Sequence, residues 1–199
     1  MGLDLTTLGL GGPDRPWGLT GGLDWSDLIG VGQNGVVISR IRRTSPPAYL
    51  AGLRLAGRRV LVVGGGAVAE RRLPLLLAAG AEVIVVAPQA RPAIVGAAEQ
   101  GQLSWRPRGF APGDLAGAWY VLVATDDRLV NGAAAAEAER QRIFCVRADD
   151  AMDSTAWTPA TAEVDGLTIG VLAGGHPRRA AWVRDLLVDA LARIARRAA

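Results

Sequence analysis

Residues 58–63, Arg-Arg-Val-Leu-Val-Val, run directly into Gly64-Gly65-Gly66 and then into a stretch with helically spaced leucines. A short apolar run of this kind reads as a strand buried on both faces, and a parallel sheet covered by helices provides that burial. Gly64-x-Gly66-x-x-Ala69 has the spacing of the dinucleotide fingerprint, in the strand–turn–helix context that the fingerprint requires. Gly64 allows the tight turn, Gly66 lets backbone approach a pyrophosphate, and Ala69 lets the helix pack closely on the strand. The helix N-terminus offers free N–H groups and a partial positive charge to the phosphates. The cofactor residues expected here are Gly64, Gly65, Gly66, Ala67 and Val68.

The pattern repeats downstream. Further strands are expected at 82–86, 103–106, 119–123 and 143–146, alternating with helices at 67–79, 93–100 and 130–140. Gly80 is expected to close the first helix, and Pro74 to disturb it. Alternation at this spacing implies right-handed crossovers and an α/β fold, a Rossmann-like doubly wound parallel sheet, over 46–150. After 150 the rhythm breaks. Strands are expected at 155–158 and 167–172 around an Asp165-Gly166 turn, then a helix from 177 to 197 with Val183, Leu186, Leu187, Ala190, Leu191 and Ile194 on one face. Residues 151–199 are too few to fold alone, so they must pack on the sheet domain or, as a dimerisation and substrate segment, on a second copy of the chain. Residues 1–45 hold ten of the 26 glycines and no sustained periodicity, the composition of a flexible extension.

Composition narrows the function. The chain has 199 residues and a formal charge of +3, too small to argue for nucleic acid. No apolar run is long enough to span a membrane. One cysteine (Cys145) and one histidine (His176) exclude a disulfide framework and make a structural zinc site improbable, so no metal site is assigned and the expected setting is cytoplasmic. All 22 basic residues are arginine. GC-rich codon usage and a carboxylate-rich ligand both account for that, since guanidinium grips carboxylates bidentately.

Ligands in this architecture bind beyond the strand C-termini, which nominates three loops. Ala87-Pro88-Gln89, followed by Arg91, stands where a carboxylate normally holds the adenosine ribose; Ala87 and Pro88 are taken as cofactor residues, and Arg91 is either a partner for a 2′-phosphate or a solvated loop residue. Ala124-Thr125-Asp126-Asp127, with Asn131 beyond, places Thr125 and Asp126 at the ribose or nicotinamide. Asp126 and Asp127 read equally as helix-start carboxylates. Cys145-Val146-Arg147-Ala148-Asp149-Asp150 opens at the same edge, where a partly desolvated carboxylate can serve as a general base.

Together these segments resemble a known family. Tyr49-Leu50-x-Gly52-Leu53 through Gly57-Arg58, Gly64-Gly65-Gly66-x-Val68-Ala69-x-Arg71, Ala124-Thr125-Asp126-Asp127-x-x-x-Asn131, Arg142-Ile143-Phe144-Cys145-Val146-x-x-Asp149, Thr158-Pro159 and Gly174-Gly175 are similar to precorrin-2 dehydrogenase, also the N-terminal module of siroheme synthases. The resemblance covers about 48–190. It implies NAD as cofactor and precorrin-2, an octacarboxylate tetrapyrrole, as the substrate oxidised to sirohydrochlorin in siroheme biosynthesis. It implies Asp149 as the catalytic residue, taking a proton as hydride leaves, with Asp150 beside it. It also implies a homodimer formed through the second domain. Arg147, Arg178 and Arg179 are the candidates for substrate carboxylates; Arg193, Arg196 and Arg197 suit the C-terminal end of a helix. The sequence departs from the family at Ala173 and at His176-Pro177, and its length is expected to exclude the family's further helical domain. A bifunctional dehydrogenase–ferrochelatase is therefore the second reading, and a non-catalytic nucleotide or tetrapyrrole sensor the third.

Overall fold

The computed structural model describes residues 48–198 and, before them, the short strands β1 (Gly30–Val31) and β2 (Val37–Ile38), which pair antiparallel. The rest of the proposed N-terminal extension lies outside the described residues. From residue 48 the order is β3 (Arg59–Val63), α1 (Ala67–Ala78), β4 (Glu82–Val86), α2 (Pro92–Glu99), β5 (Ser104–Arg106), β6 (Tyr120–Val123), α3 (Arg128–Gln141), β7 (Phe144–Arg147), β8 (Ala160–Val164), β9 (Leu167–Val171) and α4 (Pro177–Ala198).

β3 to β7 form one parallel five-stranded sheet in the order β5-β4-β3-β6-β7. The chain starts at the centre, winds outward through β4 and β5, then returns to the other side of β3, so the order reverses between β3 and β6. Successive residues of β3 enter opposite cores. Val60 and Val62 join Leu73, Val83, Val85, Ile94 and Leu122 on the α1–α2 face. Leu61 and Val63 join Leu115, Val121, Val123, Ala134, Ala138 and Cys145 on the α3 face. That double burial is why the run carries no polar alternation.

Apart from the strand expected at 155–158, the expected helices and strands are present with ends shifted by at most two residues. α1 runs through Pro74, which has no N–H for the Glu70 carbonyl, and is capped by Ala79, with Gly80 in the left-handed region at φ +72°. The return from β5 to β6 uses turns instead of a helix. Buried Leu115 anchors it, and Asp114 ties it together by accepting from Arg106, Arg108 and the Ala111 N–H.

One expectation is corrected. Residues 155–158 do not form a strand of the hairpin. They seal the backbone of β7 instead: Cys145 N–H donates to Thr155 Oγ1 at 2.8 Å, and Ala156 N–H donates to the Cys145 carbonyl at 3.0 Å. The hairpin partner of β9 is β8, beyond Pro159, and the turn falls at Asp165-Gly166 with both residues at positive φ. α4 packs on β8 and β9. Among the described residues after 150, Ala180 is the one fully buried hydrophobic, while Leu167, Trp182, Leu187 and Ile194 stand exposed.

Candidate functional site

The C-terminal ends of β3, β4, β6 and β7 converge on one edge of the sheet, and the glycine turn stands at its centre. Gly64 has φ +112°, and a Cβ there would lie 2.3 Å from the Ala124 carbonyl oxygen. A Cβ on Gly65 would lie 2.4 Å from the Gln89 carbonyl oxygen. These two glycines let the β4 and β6 loops close on the turn, an arrangement fixed by Gly64 N–H to Val86 O, Arg91 N–H to Gly65 O and Ala124 N–H to Val63 O. Gly66 differs, because a Cβ there would meet nothing within 4 Å. The open space lies at the N-cap of α1, which no side chain caps. Free N–H groups at a helix start beside an unfilled glycine position fit a dinucleotide pyrophosphate.

At the end of β4, Ala87 is buried and its carbonyl accepts from the Trp105 indole at 3.0 Å, while Pro88 and Gln89 are exposed. Arg91 pairs with Glu70 of α1 at 2.7 Å. The ribose position therefore lacks a carboxylate, and the nearby cation is already engaged.

After β6 the two aspartates take different places. Asp127 caps α3, its Oδ1 accepting from Leu129 and Val130 N–H. Asp126 stands exposed. Thr125 is held by Asn131, which has no exposed surface. Its Oδ1 accepts from Thr125 Oγ1 at 2.6 Å and its Nδ2 donates to the Thr125 carbonyl at 3.0 Å. The Asn131 side chain also helps to hold the Asp149 carboxyl low. One buried amide thus anchors the cofactor loop and acts on the charge of the carboxylate loop.

In that second loop Arg147 grips Asp149 with both edges of its fork, Nε to Oδ1 at 3.1 Å and Nη2 to Oδ2 at 2.8 Å. Nη1 donates to Asp153. The Arg147 guanidinium holds the Asp149 carboxyl down at about 2, burial opposes that shift, and Asn131 adds to it. Asp150 shapes the loop, its Oδ1 accepting from the Met152 and Asp153 N–H groups. Burial pushes the Cys145 thiol up to about 11, so it remains protonated at neutral pH. Arg178 and Arg179 are exposed at the start of α4, after the positive-φ pair Gly174 and Gly175, and no hydrogen bond or ion pair links them to Arg147 or Asp149. Among the described residues no cluster of three or more His, Cys, Asp or Glu could hold a metal ion, and no helix is long and apolar enough to cross a membrane.

Asp149 makes a testable contribution to stability. Its folded-state value lies below the ordinary 3.8, so the stabilisation is present above about pH 4 and is lost as pH falls toward 2. The difference in Tm between the wild-type chain and Asp149→Asn is expected to be constant from pH 7 to 5, to shrink below that and to be mostly lost by about pH 2 in calorimetric scans. A difference undiminished at pH 2 contradicts the assignment.

Sequence reasoning named Asn131 beside the Thr125 cluster without giving it a role, and did not name Asp153. For Asn131 a signal existed: it shares the buried stripe of α3 with Ala134 and Ala138, an amide where the pattern calls for an apolar residue. Asp153 carried no such signal.

Known proteins place the same segments together. Residues 51–160, more than half of the chain, match the family described as "Putative NAD(P)-binding". Siroheme synthase 3 of Aeromonas hydrophila subsp. hydrophila is 41% identical over 135 residues, covering 67% of this chain and 29% of that protein. Siroheme synthase of Chromobacterium violaceum is 44% identical over 123 residues, covering 62% of this chain and 26% of that protein. The chain thus spans less than a third of the length of these curated relatives. A solved structure, "SirC, precorrin-2 dehydrogenase", superposes with a TM-score of 0.61 at 29% identity, covering 71% of this chain and 70% of that one. The matched segment begins before the glycine turn and ends beyond the Asp149 loop, and on that match the chain belongs to the family of nicotinamide dinucleotide-binding proteins that this description covers.

Proposed function

We propose that this chain oxidises precorrin-2 to sirohydrochlorin with NAD+, in the cytoplasm, as a homodimer serving siroheme synthesis. The observation that carries the reading is that buried Asn131 anchors the Thr125 loop while Arg147 holds the Asp149 carboxylate at the same open edge of the sheet. The bound dinucleotide supplies the hydride acceptor. Gly66, Ala67 and Val68 take its pyrophosphate, Gly64 and Gly65 hold the turn, Ala87 and Pro88 border the ribose, and Thr125 and Asp126 face the nicotinamide half. Asp149 accepts a proton from the macrocycle as hydride leaves. A carboxylate so weakly basic is adequate because loss of hydride leaves the macrocycle cationic and its C–H protons acidic. Arg178 and Arg179 meet substrate carboxylates, with Arg147 and Asp150 beside the base. The Arg91–Glu70 pair supports NAD over its 2′-phosphorylated form, since a phosphate there would first have to displace Glu70.

Anaerobic incubation with precorrin-2 is expected to yield sirohydrochlorin and NADH in equal amounts, faster with NAD+ than with NADP+. Absence of sirohydrochlorin with either nucleotide removes the reading.

The hairpin and α4 support the dimer, because their exposed apolar side chains lack a core of their own. Sedimentation is expected to give twice the 20.7 kDa chain mass. Leu187→Asp with Ile194→Asp should give a folded monomer. A wild-type chain that sediments as a monomer at micromolar concentration rules the dimer out.

A further inference from the structure

Arg147 binds two carboxylates in unlike ways. Asp149 is held by two donors of the fork, at 3.1 and 2.8 Å, and its side chain is 20% exposed. Asp153 is held by Nη1, its side chain is 65% exposed, and its carboxylate has no other hydrogen bond among the described residues. Arg147 itself is 8% exposed. One face of a nearly buried guanidinium is therefore covered by a side chain that is mostly in water. Bidentate, desolvated pairs hold their geometry, whereas exposed single contacts exchange readily. The backbone beneath Asp153 is fixed independently: Asp150 Oδ1 accepts its N–H at 3.2 Å, and the Ser154 hydroxyl donates to the Asp150 carbonyl at 2.9 Å. Rotation of one side chain uncovers Nη1 without moving the loop.

We propose that Asp153 is a placeholder for a substrate carboxylate on Arg147. When the acidic tetrapyrrole binds, one of its carboxylates displaces Asp153 from Nη1, while Nε and Nη2 keep Asp149 in place. Arg147 then reads a carboxylate at a fixed distance from the catalytic group, and Asp153 sets how strongly a ligand must be charged there to enter. A neutral side chain on the macrocycle cannot replace the ion pair that it breaks. The identity of the ligand rests on the proposed function above; the exchange itself rests on the Arg147 geometry.

The test uses full-length Asp153→Asn and Asp153→Ala. KM for precorrin-2 at saturating NAD+ and, separately, the Kd for sirohydrochlorin without nucleotide, followed by its absorbance change, are both expected to fall about 2–5-fold, with the gain in kcat/KM arising in KM. Rising NaCl should narrow the difference between variant and wild type, because the competing pair is exposed. Unchanged or weaker tetrapyrrole affinity in both variants overturns the placeholder role. So does a loss confined to kcat, which would make Asp153 a support for Arg147. A wild-type chain that neither turns over precorrin-2 nor binds sirohydrochlorin counts against the functional reading, whereas wild-type turnover with unaltered variants counts against this inference alone.

Discussion

Replacing Asp149 by Asn is expected to lower kcat by about 10²–10⁴-fold, the usual contribution of a positioned general base, with nucleotide Kd unchanged within about twofold. The amide keeps the shape and can still accept from Arg147, but it loses the charge and the site for a proton. Nucleotide affinity should survive because the pyrophosphate cradle is on β3 and α1, while Asp149 follows β7. Single-turnover kinetics with precorrin-2, beside fluorescence titration with NADH, separate the two quantities. Wild-type turnover in Asp149→Asn would sink the assignment, and a parallel loss of NADH binding would show that the substitution has disturbed the cofactor loop through Asn131.

The second large effect distinguishes two glycines two residues apart. Gly64→Ala must place a methyl group 2.3 Å from the Ala124 carbonyl oxygen at φ +112°. Neither part can relax, since Ala124 N–H is itself bonded to Val63 O at 2.8 Å. We expect a loss of about 3–5 kcal/mol, a fall in Tm of about 6–15 °C, and no measurable nucleotide binding. Gly66→Ala faces empty space on the protein side, so Tm should change by less than about 2 °C while NADH affinity drops at least about tenfold, because the methyl group occupies the approach of the pyrophosphate. Thermal melts and NADH titrations on the same preparations read both. Normal NADH affinity in Gly66→Ala would mean that the pyrophosphate lies elsewhere.

The sheet was legible because its strands are buried on both faces. Val60 to Val63 and Val83 to Val86 leave no alternative to a covered parallel sheet, and the glycine turn then locates the edge where ligands bind. Legibility ended where the chain stops being periodic. Residues 155–158 carry β-forming threonine and tryptophan, yet they bond to Cys145, a partner ten residues upstream that no local pattern names. The true strand, Ala-Thr-Ala-Glu-Val, is only partly buried and too weakly apolar to announce itself. Within the site, Asp149 was reachable through the family's motif, but its state was not. The state depends on the Arg147 fork folding onto a carboxylate two residues on, which the loop backbone decides, and on Asn131 of α3, whose approach is tertiary.

The central place of β3 also sets the order in which the chain can acquire its binding edge. β3, α1, β4, α2 and β5 are contiguous, and they can dock as soon as they leave the ribosome. β6 is synthesised afterwards, and the partner of Val63, Val123, lies 60 positions further along the chain (123 − 63). Until that closure occurs, the glycine turn is present with one wall missing. A nascent chain halted before Tyr120 would carry the fingerprint in full and still have no Thr125, no Asn131 and no Asp149 to place beside it.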